Sequence, residues 1–455
     1  MSSGTGWRIA PIFVLAACLS SPGIAVAQGT PAGLSKIEHI VVLYMENRSF
    51  DHAYGNFPGA DGLANAGEAA IQVDANGKPY DALPDPLDLR TKPYVRYVKL
   101  PPTLPNKPFK LNDYYKLDEV MGSLIHAFYQ QQEQINGGRM NKFAMASDAL
   151  GYAMAYWDTS SLRLYDYAKR YTLADNFFHG AFGGSFLNHF WLVCACTPVY
   201  PNAPEKIVAR LDANGKLLRD GFVTPDGYGV NTMEPIGGPH GRTIDKDLLL
   251  PVQTMPTIGD RLTEKGVSWR WYSGGWNEAE AGTEKEGTFS YHHQPFAFFQ
   301  RFQKGRPDRA LQIQDLDDFM ADIAKGTLPQ IAIYKPRRGI NQHPSASDMA
   351  TSDAHTADLL DRLEKSPQWL KMAVIVTYDE NGGFWDHVPP PKRDRWGPGT
   401  RVPAIVISPF AKKGYVDHTQ YDTLSLLKLI ESRFGLVPLN EADAKAVGMF
   451  NAFQF

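Results

Sequence analysis

Two runs of apolar, largely β-branched residues set the terms on which this chain can fold: residues 37–44 (IEHIVVLY) and Met372–Tyr378 (MAVIVTY). A strand with one wet face alternates apolar and polar residues. A nearly continuous apolar run is the mark of a strand covered on both faces, as in a parallel sheet flanked by helices. Residues 330–334 (QIAIY) and 402–407 (VPAIVI) have the same character. Between these runs lie stretches of helical period, at 124–135, 162–171, 354–364 and Thr423–Phe434, the last with Leu424, Leu427 and Ile430 on one face. Strands alternating with helices predict an α/β fold with a mostly parallel sheet. Residues 59–111 and 200–285 are rich in turn-forming residues and read as insertions around that core, the first wrapping the surface.

The ends of the chain's apolar runs carry its chemistry. In open α/β sheets, ligands sit beyond the carboxyl ends of the strands, so the residues following each run are the ones to inspect. The first run leads into Glu46, Asn47, Arg48 and Ser49, and the run ending at Tyr378 leads into Asp379, Glu380 and Asn381. Glu46, Asn47, Asp379 and Glu380 together offer carboxylate and amide oxygens. Three crowded carboxylates repel unless a cation offsets them, so the set suits one divalent ion. Each cluster alone is equally compatible with helix capping or a solvated turn. Gly183-Gly184-Ser185 runs into Phe186, Leu187, Asn188 and His189. Small glycines before a helix start make an anion site, and Ser185 is there either a nucleophile or an ordinary N-cap. His126, His292, His293 and His343 are candidates for binding phosphate oxygens and protonating a leaving alkoxide. Acting as imidazolium ions, they would favour acidic pH.

The charge balance and the first residues bound the setting. Lys and Arg number 46 against 49 Asp and Glu, a net charge of -3, so the chain lacks the basic field by which nucleic acid is held. Arg8 is the only charge before Lys36; it precedes an apolar run from Ile9 to Ala17, with Ala25-Val26-Ala27 following. Residues 1–27 therefore read as an export signal cleaved after Ala27, leaving 28–455 as one domain, periplasmic or secreted. Leu15-Ala16-Ala17-Cys18 is a rival lipoprotein signal. No later stretch reaches the length of a membrane span. Cys194 and Cys196 are either free thiols or a local disulfide, and two thiols alone do not make a zinc site.

Residues 37–59 (IEHIVVLYMENRSFDHAYGNFPG), 136–140 (NGGRM), 341–344 (NQHP), 378–384 (YDENGGF), 386–390 (DHVPP) and 397–409 (GPGTRVPAIVISP) resemble the bacterial phosphoesterase family. That family joins acid phosphatases to phosphatidylcholine-hydrolysing phospholipases C within the alkaline-phosphatase-like superfamily. The resemblance implies an alkaline-phosphatase-like α/β core, metal ligation by Glu46, Asn47, Asp379 and Glu380, and Ser185 as a nucleophile forming a phosphoserine. It places His126, His292, His293 and His343 against the phosphate. Phospholipases of the family carry a threonine in a G-P-T-x-P-N-R setting, whereas this chain has Gly184-Ser185-Phe186-Leu187-Asn188-His189, as in the acid phosphatase branch. The expectation is a metal-dependent acid phosphatase acting on a phosphate ester. One rival is a phospholipase C with Trp157, Trp191 or Tyr291 caging a lipid head group, and another is an exported metal-binding protein without turnover.

Overall fold

The computed structural model describes Met1 and residues 30–455. The export and lipoprotein readings, Cys18 included, fall outside the described residues. Eight strands form the central sheet: β1 (His39–Met45), β2 (Thr172–Ala174), β3 (Trp269–Ser273), β4 (Ile313–Gln314), β5 (Ile331–Lys335), β6 (Met372–Tyr378), β7 (Ala404–Ile407) and β8 (Tyr415–Asp417). Their order across the sheet is β4-β3-β5-β1-β6-β7-β2-β8. Every neighbouring pair is parallel except the two made by β7, which runs against both β6 and β2. The mostly parallel α/β architecture expected from the apolar runs is present, and β1 and β6 lie side by side at its centre, buried almost throughout.

The helices that matter for the site are α1 (Phe50–Tyr54), α2 (Phe128–Ile135), α3 (Arg163–Arg170), α4 (Ser185–Cys194), α5 (Met349–Glu364) and α6 (Thr423–Phe434). Helices α4 and α6 pack on each other, as do α3 and α5. Two boundaries start where capping dictates. Asp422 caps α6 by accepting from the Leu424 N–H, and Asp348 caps α5 by accepting from the Thr351 N–H, five residues before the apolar period becomes visible.

Two insertion readings need correction. Residues 200–285 are irregular for most of their length but contain β3, a full member of the sheet between β4 and β5, flanked by short helices at Ile258–Glu264 and Trp276–Ala281. Its sequence, WRWYS, hides this because Arg270 interrupts the apolar run; the guanidinium escapes to Asp322 at 2.5 Å. Residues 59–111 contain only short turns and two-residue strands, yet they do more than wrap the surface. Leu83, Leu100, Leu104 and Leu111 are buried in a second apolar cluster with Tyr152, Trp157 and Trp385. Trp157 and Trp191 are core residues, 1% and 2% exposed, so neither is free to cage a head group. Cys194 and Cys196 form a disulfide at the end of α4, where the intervening Ala195 takes a left-handed backbone conformation (φ 50°) that turns the chain back.

Candidate functional site

Register brings the acidic residues together. Met45 pairs with Tyr378, so Glu46 and Asp379 leave adjacent parallel strands side by side. Asn47 follows at φ 52°, a left-handed conformation that asparagine tolerates, and its backbone N–H donates to Asp379 Oδ1 at 3.4 Å. The Glu380 N–H donates to the same oxygen at 2.9 Å. Gly382 sits at φ 66° where a Cβ would come within 2.6 Å of the Asn47 carbonyl oxygen, so only glycine lets the two loops close on each other. Glu46, Asn47, Asp379 and Glu380 are all fully buried.

Ser185 completes the cluster from a third direction. It is the first residue of α4, and the N-cap position belongs to Gly184, so the capping alternative fails. Its hydroxyl instead points at three oxygens: Glu46 Oε2 at 3.3 Å, Asn47 Oδ1 at 3.4 Å and Glu380 Oε1 at 3.4 Å. The approach to Ser185 is held by Asn188, one turn on. Its Oδ1 accepts from the Ala181 N–H at 2.9 Å, and its amide donates to the carbonyls of Ala181, Gly183 and Gly184 at 3.1 to 3.3 Å. Gly183, at φ 89°, leaves no room for a Cβ against the backbone of Phe128.

The histidines surround this centre in two groups. His126 and His343 stand together, ring centroids 5.8 Å apart, and both are partly exposed. His126 Nδ1 donates to the Leu124 carbonyl at 2.6 Å, which leaves Nε2 facing Asn47 Nδ2 at 3.4 Å and Glu380 Oε1 at 3.6 Å. On the other side His189 stacks on His293 with centroids 5.3 Å apart, and His292 meets His293 edge to face at 4.6 Å. His293 does not face open space: its Nε2 lies 2.7 Å from Glu46 Oε1. His126 opens on a cavity of about 370 Å³ with Phe186, Phe222 and Val230, and His292 on another of about 370 Å³ with Glu234, Glu284 and Tyr291. Thr232 lines both.

Lys335 and His189 belong to the site although sequence reasoning did not single them out. Lys335 Nζ is buried 2.6 Å from Glu46 Oε1 and 3.0 Å from Asp379 Oδ2. It ends β5, the strand next to β1, so the rule that exposed Glu46 and Asp379 would have found it had the run been followed one residue past Tyr334. His189 Nδ1 donates to the Ser185 carbonyl at 2.6 Å and lies 3.9 Å from Asp379 Oδ2.

Burial dominates the electrostatics. It pushes Asp379 up to about 7, helped by the Glu46 charge, and drives Glu380 well above the carboxylate range, helped by Asp379. Glu46 goes the other way: burial would raise it, but the charges of His293 and Lys335 hold it well below its usual value. Burial lowers His126, His292 and His293, and takes His343 down to about 4. Burial thus works against the imidazolium forms expected of these rings, while the Glu46 carboxylate favours them. The donor set fits a hard or borderline divalent ion: two ionisable carboxylates, an amide oxygen and a hydroxyl converge on one point, with a third carboxylate behind.

A second buried group lies behind the loops. Asp51, Asp386 and His387 bring donor atoms within 4.8 Å of one another and could hold a metal. Here the Arg401 guanidinium bonds both carboxylates, at 3.1 Å to Asp386 Oδ1 and 3.1 Å to Asp51 Oδ1. The network ties the loop carrying Glu46 and Asn47 to the loop carrying Asp379 and Glu380, because Asp386 Oδ2 also accepts from the Asp51 N–H at 3.0 Å.

A family profile described as Phosphoesterase family matches residues 37–437. The chain is 25% identical to a non-hemolytic phospholipase C of Pseudomonas aeruginosa over 90% of its own length and 55% of that protein's. It is 26% identical to phospholipase C B of Mycobacterium tuberculosis over 96% of its length and 82% of that protein's. Among solved structures, a protein in the alkaline phosphatase superfamily from Vibrio parahaemolyticus aligns over 64% of this chain and 66% of that one, with a TM-score of 0.32 and 14% identity.

Proposed function

The chain belongs to the phosphoesterase family, which makes it a hydrolase of phosphoric esters, and on that premise we propose that it cleaves a phosphodiester of the phospholipid kind through Ser185. The observation that carries the reading is the Ser185 hydroxyl at the start of α4, within 3.4 Å of Glu46, Asn47 and Glu380. Free backbone N–H groups at that helix end receive phosphoryl oxygens. Ser185 Oγ attacks phosphorus, the P–O bond to the leaving alcohol breaks as that oxygen takes up a proton, and water then cleaves the phosphorylated Ser185, which still carries the other ester substituent. The lone pair that His126 keeps at Nε2 accepts a proton on the side of the site where its cavity opens. Asn188 and the glycine loop hold Oγ in place. A divalent ion held by Glu46, Asn47, Glu380 and Ser185, with Asp379 behind them, would supply Lewis acidity, favouring the serine alkoxide and offsetting charge on the phosphoryl oxygens.

Two features support a diester with a lipid head group. The relatives named above are phospholipases C. Two cavities flank the cluster, one with apolar Phe186, Phe222 and Val230 and one with Glu234, Glu284 and Tyr291, a place for each substituent. A monoesterase of the acid phosphatase kind is the second reading, favoured by serine in Gly184-Ser185-Phe186-Leu187-Asn188-His189. Rates on p-nitrophenyl phosphate and p-nitrophenylphosphocholine, each with and without chelator, separate the two. Inertness toward both would leave a metal-binding protein without turnover. Export is part of the proposal: the Cys194–Cys196 disulfide suits an oxidising compartment, and the mature N-terminus is expected at Gln28 by mass spectrometry of the protein from its native source.

A further inference from the structure

A hairpin within residues 59–111 stands beside the His126 cavity. Leu87–Asp88 pairs antiparallel with Val95–Arg96, and Tyr97 fixes its base by stacking on the buried Tyr152 ring, centroids 4.3 Å apart. Tyr94 and Val95 are more than half exposed, and Val98 is 81% exposed. Val120, also more than half exposed, lies alongside. Lys99 pairs with Glu119, and Tyr97 packs so close to Gly122 that a Cβ there would come within 2.2 Å of the phenol oxygen. Contacts on either side of Val98 and Val120 therefore set these two next to each other. Single apolar residues scattered over a surface need no account, but four gathered at one place mark a contact surface. The patch is also continuous with the site. Arg90, in the loop between the hairpin strands, lines the same cavity as His126, Phe186, Phe222 and Val230, and residues 120–126 run from exposed Val120 to His126.

Charge says what the patch meets. In a chain of net charge -3, residues 89–112 hold Arg90, Lys92, Arg96, Lys99, Lys107 and Lys110 and no Asp or Glu. Neighbouring carboxylates offset Arg90, Arg96, Lys99 and Lys110. Lys92 makes no ion pair among the described residues: its Nζ lies 3.9 Å from the centre of the Tyr94 ring and donates to the Tyr94 hydroxyl at 2.7 Å. Valines, an aromatic ring with a polar end and an ammonium held at the level of that end suit the boundary between lipid head groups and acyl chains. A second copy of the chain across a two-fold axis would instead bring the same basic stretch against itself. We propose that Tyr94, Val95, Val98 and Val120, with Lys92, form the face by which the chain settles on a bilayer containing anionic phospholipid, holding the His126 cavity at the lipid surface. The inference rests on the reading of the chain as a hydrolase of phospholipid diesters and adds the surface through which it reaches them.

Vesicle binding tests this apart from turnover. Wild type and a double variant, Tyr94→Asp with Val98→Asp, are mixed on ice with sucrose-loaded vesicles of phosphatidylcholine, alone or with about one-third phosphatidylglycerol, and sedimented. Wild type should bind the anionic vesicles about fivefold tighter than the neutral ones, the share of one lysine at the surface. The double variant should bind at least about tenfold more weakly, because it sets two charges into the apolar contact. Both should hydrolyse the soluble diester p-nitrophenylphosphocholine at the same rate, since neither position touches Ser185 or the acidic cluster. Val120→Asp, on a separate segment, should show the same loss of binding and stands in should the hairpin variant misfold. Wild type that binds neither vesicle while hydrolysing the soluble diester overturns the inference and leaves the diester reading standing. Equal binding to neutral and anionic vesicles overturns it too, as do folded variants that sediment as well as wild type. A wild-type dimer in light scattering that the aspartates split, without vesicle binding, overturns it in favour of a second copy. Wild type that sediments through these residues but leaves both diesters intact supports the surface and removes the diester reading.

Discussion

Replacing Ser185 with alanine separates chemistry from architecture, because the structure fixes what the hydroxyl does not do. It caps nothing: Gly184 holds the N-cap position and no side chain accepts there. Its three oxygen contacts are long, 3.3 to 3.4 Å, and all go to groups that have other partners or can bind a cation. The methyl group left behind fits the same space. Loss of such contacts is worth about 1 kcal/mol or less, so the melting temperature should move by only about 1 °C in a domain of this size. Turnover is another matter. Losing a nucleophile outright costs about 10⁶-fold in known serine enzymes, which is about 8 kcal/mol of transition-state stabilisation. The assay is kcat/KM on p-nitrophenylphosphocholine and p-nitrophenyl phosphate beside a thermal melt and a metal count on the same preparation. A variant that melts like the wild type, keeps its metal and retains more than about a tenth of the rate would refute the nucleophile assignment.

Three further outcomes are expected. Asp379→Asn and Glu46→Gln each remove a negative oxygen from the cluster and should lower metal content well below that of wild type under dialysis; full occupancy in both would show that these carboxylates serve something else. Asn188→Ala removes the side chain that bonds four backbone groups ahead of Ser185, so it should cut kcat about 10- to 100-fold while Ser185 remains; an unchanged kcat would show that the glycine loop holds itself. Glu431 on α6 is buried without a hydrogen-bond partner, and burial plus the nearby Asp443 push it up to about 9. The folded state therefore keeps the proton that the unfolded chain releases near pH 4.3, so the stability from Glu431 is complete below that pH and lost as pH rises toward 9. Discounted for solvent screening, Glu431→Gln should be about 2 kcal/mol more stable than wild type at pH 8 and little different at pH 4, by chemical denaturation. Equal stability at both pH values would count against it.

How much of this was legible in the sequence follows from what each element needed. Met372–Tyr378 and Thr423–Phe434 match the expected bounds because both are long and their patterns unmixed: one continuous apolar run, one clear helical face. Thr172–Ala174 and Ile313–Gln314 are too short to show a period, and Trp269–Ser273 carries an arginine that only its tertiary partner Asp322 makes tolerable. The antiparallel direction of Ala404–Ile407 leaves no trace in a four-residue apolar run. At the site, Glu46, Asn47, Asp379, Glu380, Ser185 and His126 converge as expected, since strand ends and a helix start are local features. Lys335 lay within reach of the same strand-end rule, one residue past an apolar run, whereas the pairing of His293 with Glu46 is a long-range contact that no local pattern encodes.

The place of β1 in that order has a consequence for how the chain is born. Its neighbours on both sides come late: His39 meets Pro329, 290 positions on, and Asn47 meets Asp379, 332 positions on. At about 5–20 residues per second of synthesis, the first apolar run waits roughly 15 to 60 seconds for any strand to lie against. During that interval residues 37–44 are a sticky, edge-ready segment with no partner of their own chain. Early release of truncated chains, or slow decoding ahead of Ile331, should therefore favour aggregation over partial folding. The acidic cluster cannot assemble until almost the entire polypeptide has emerged, so metal capture is a late event in the life of each molecule and a reporter of its completion.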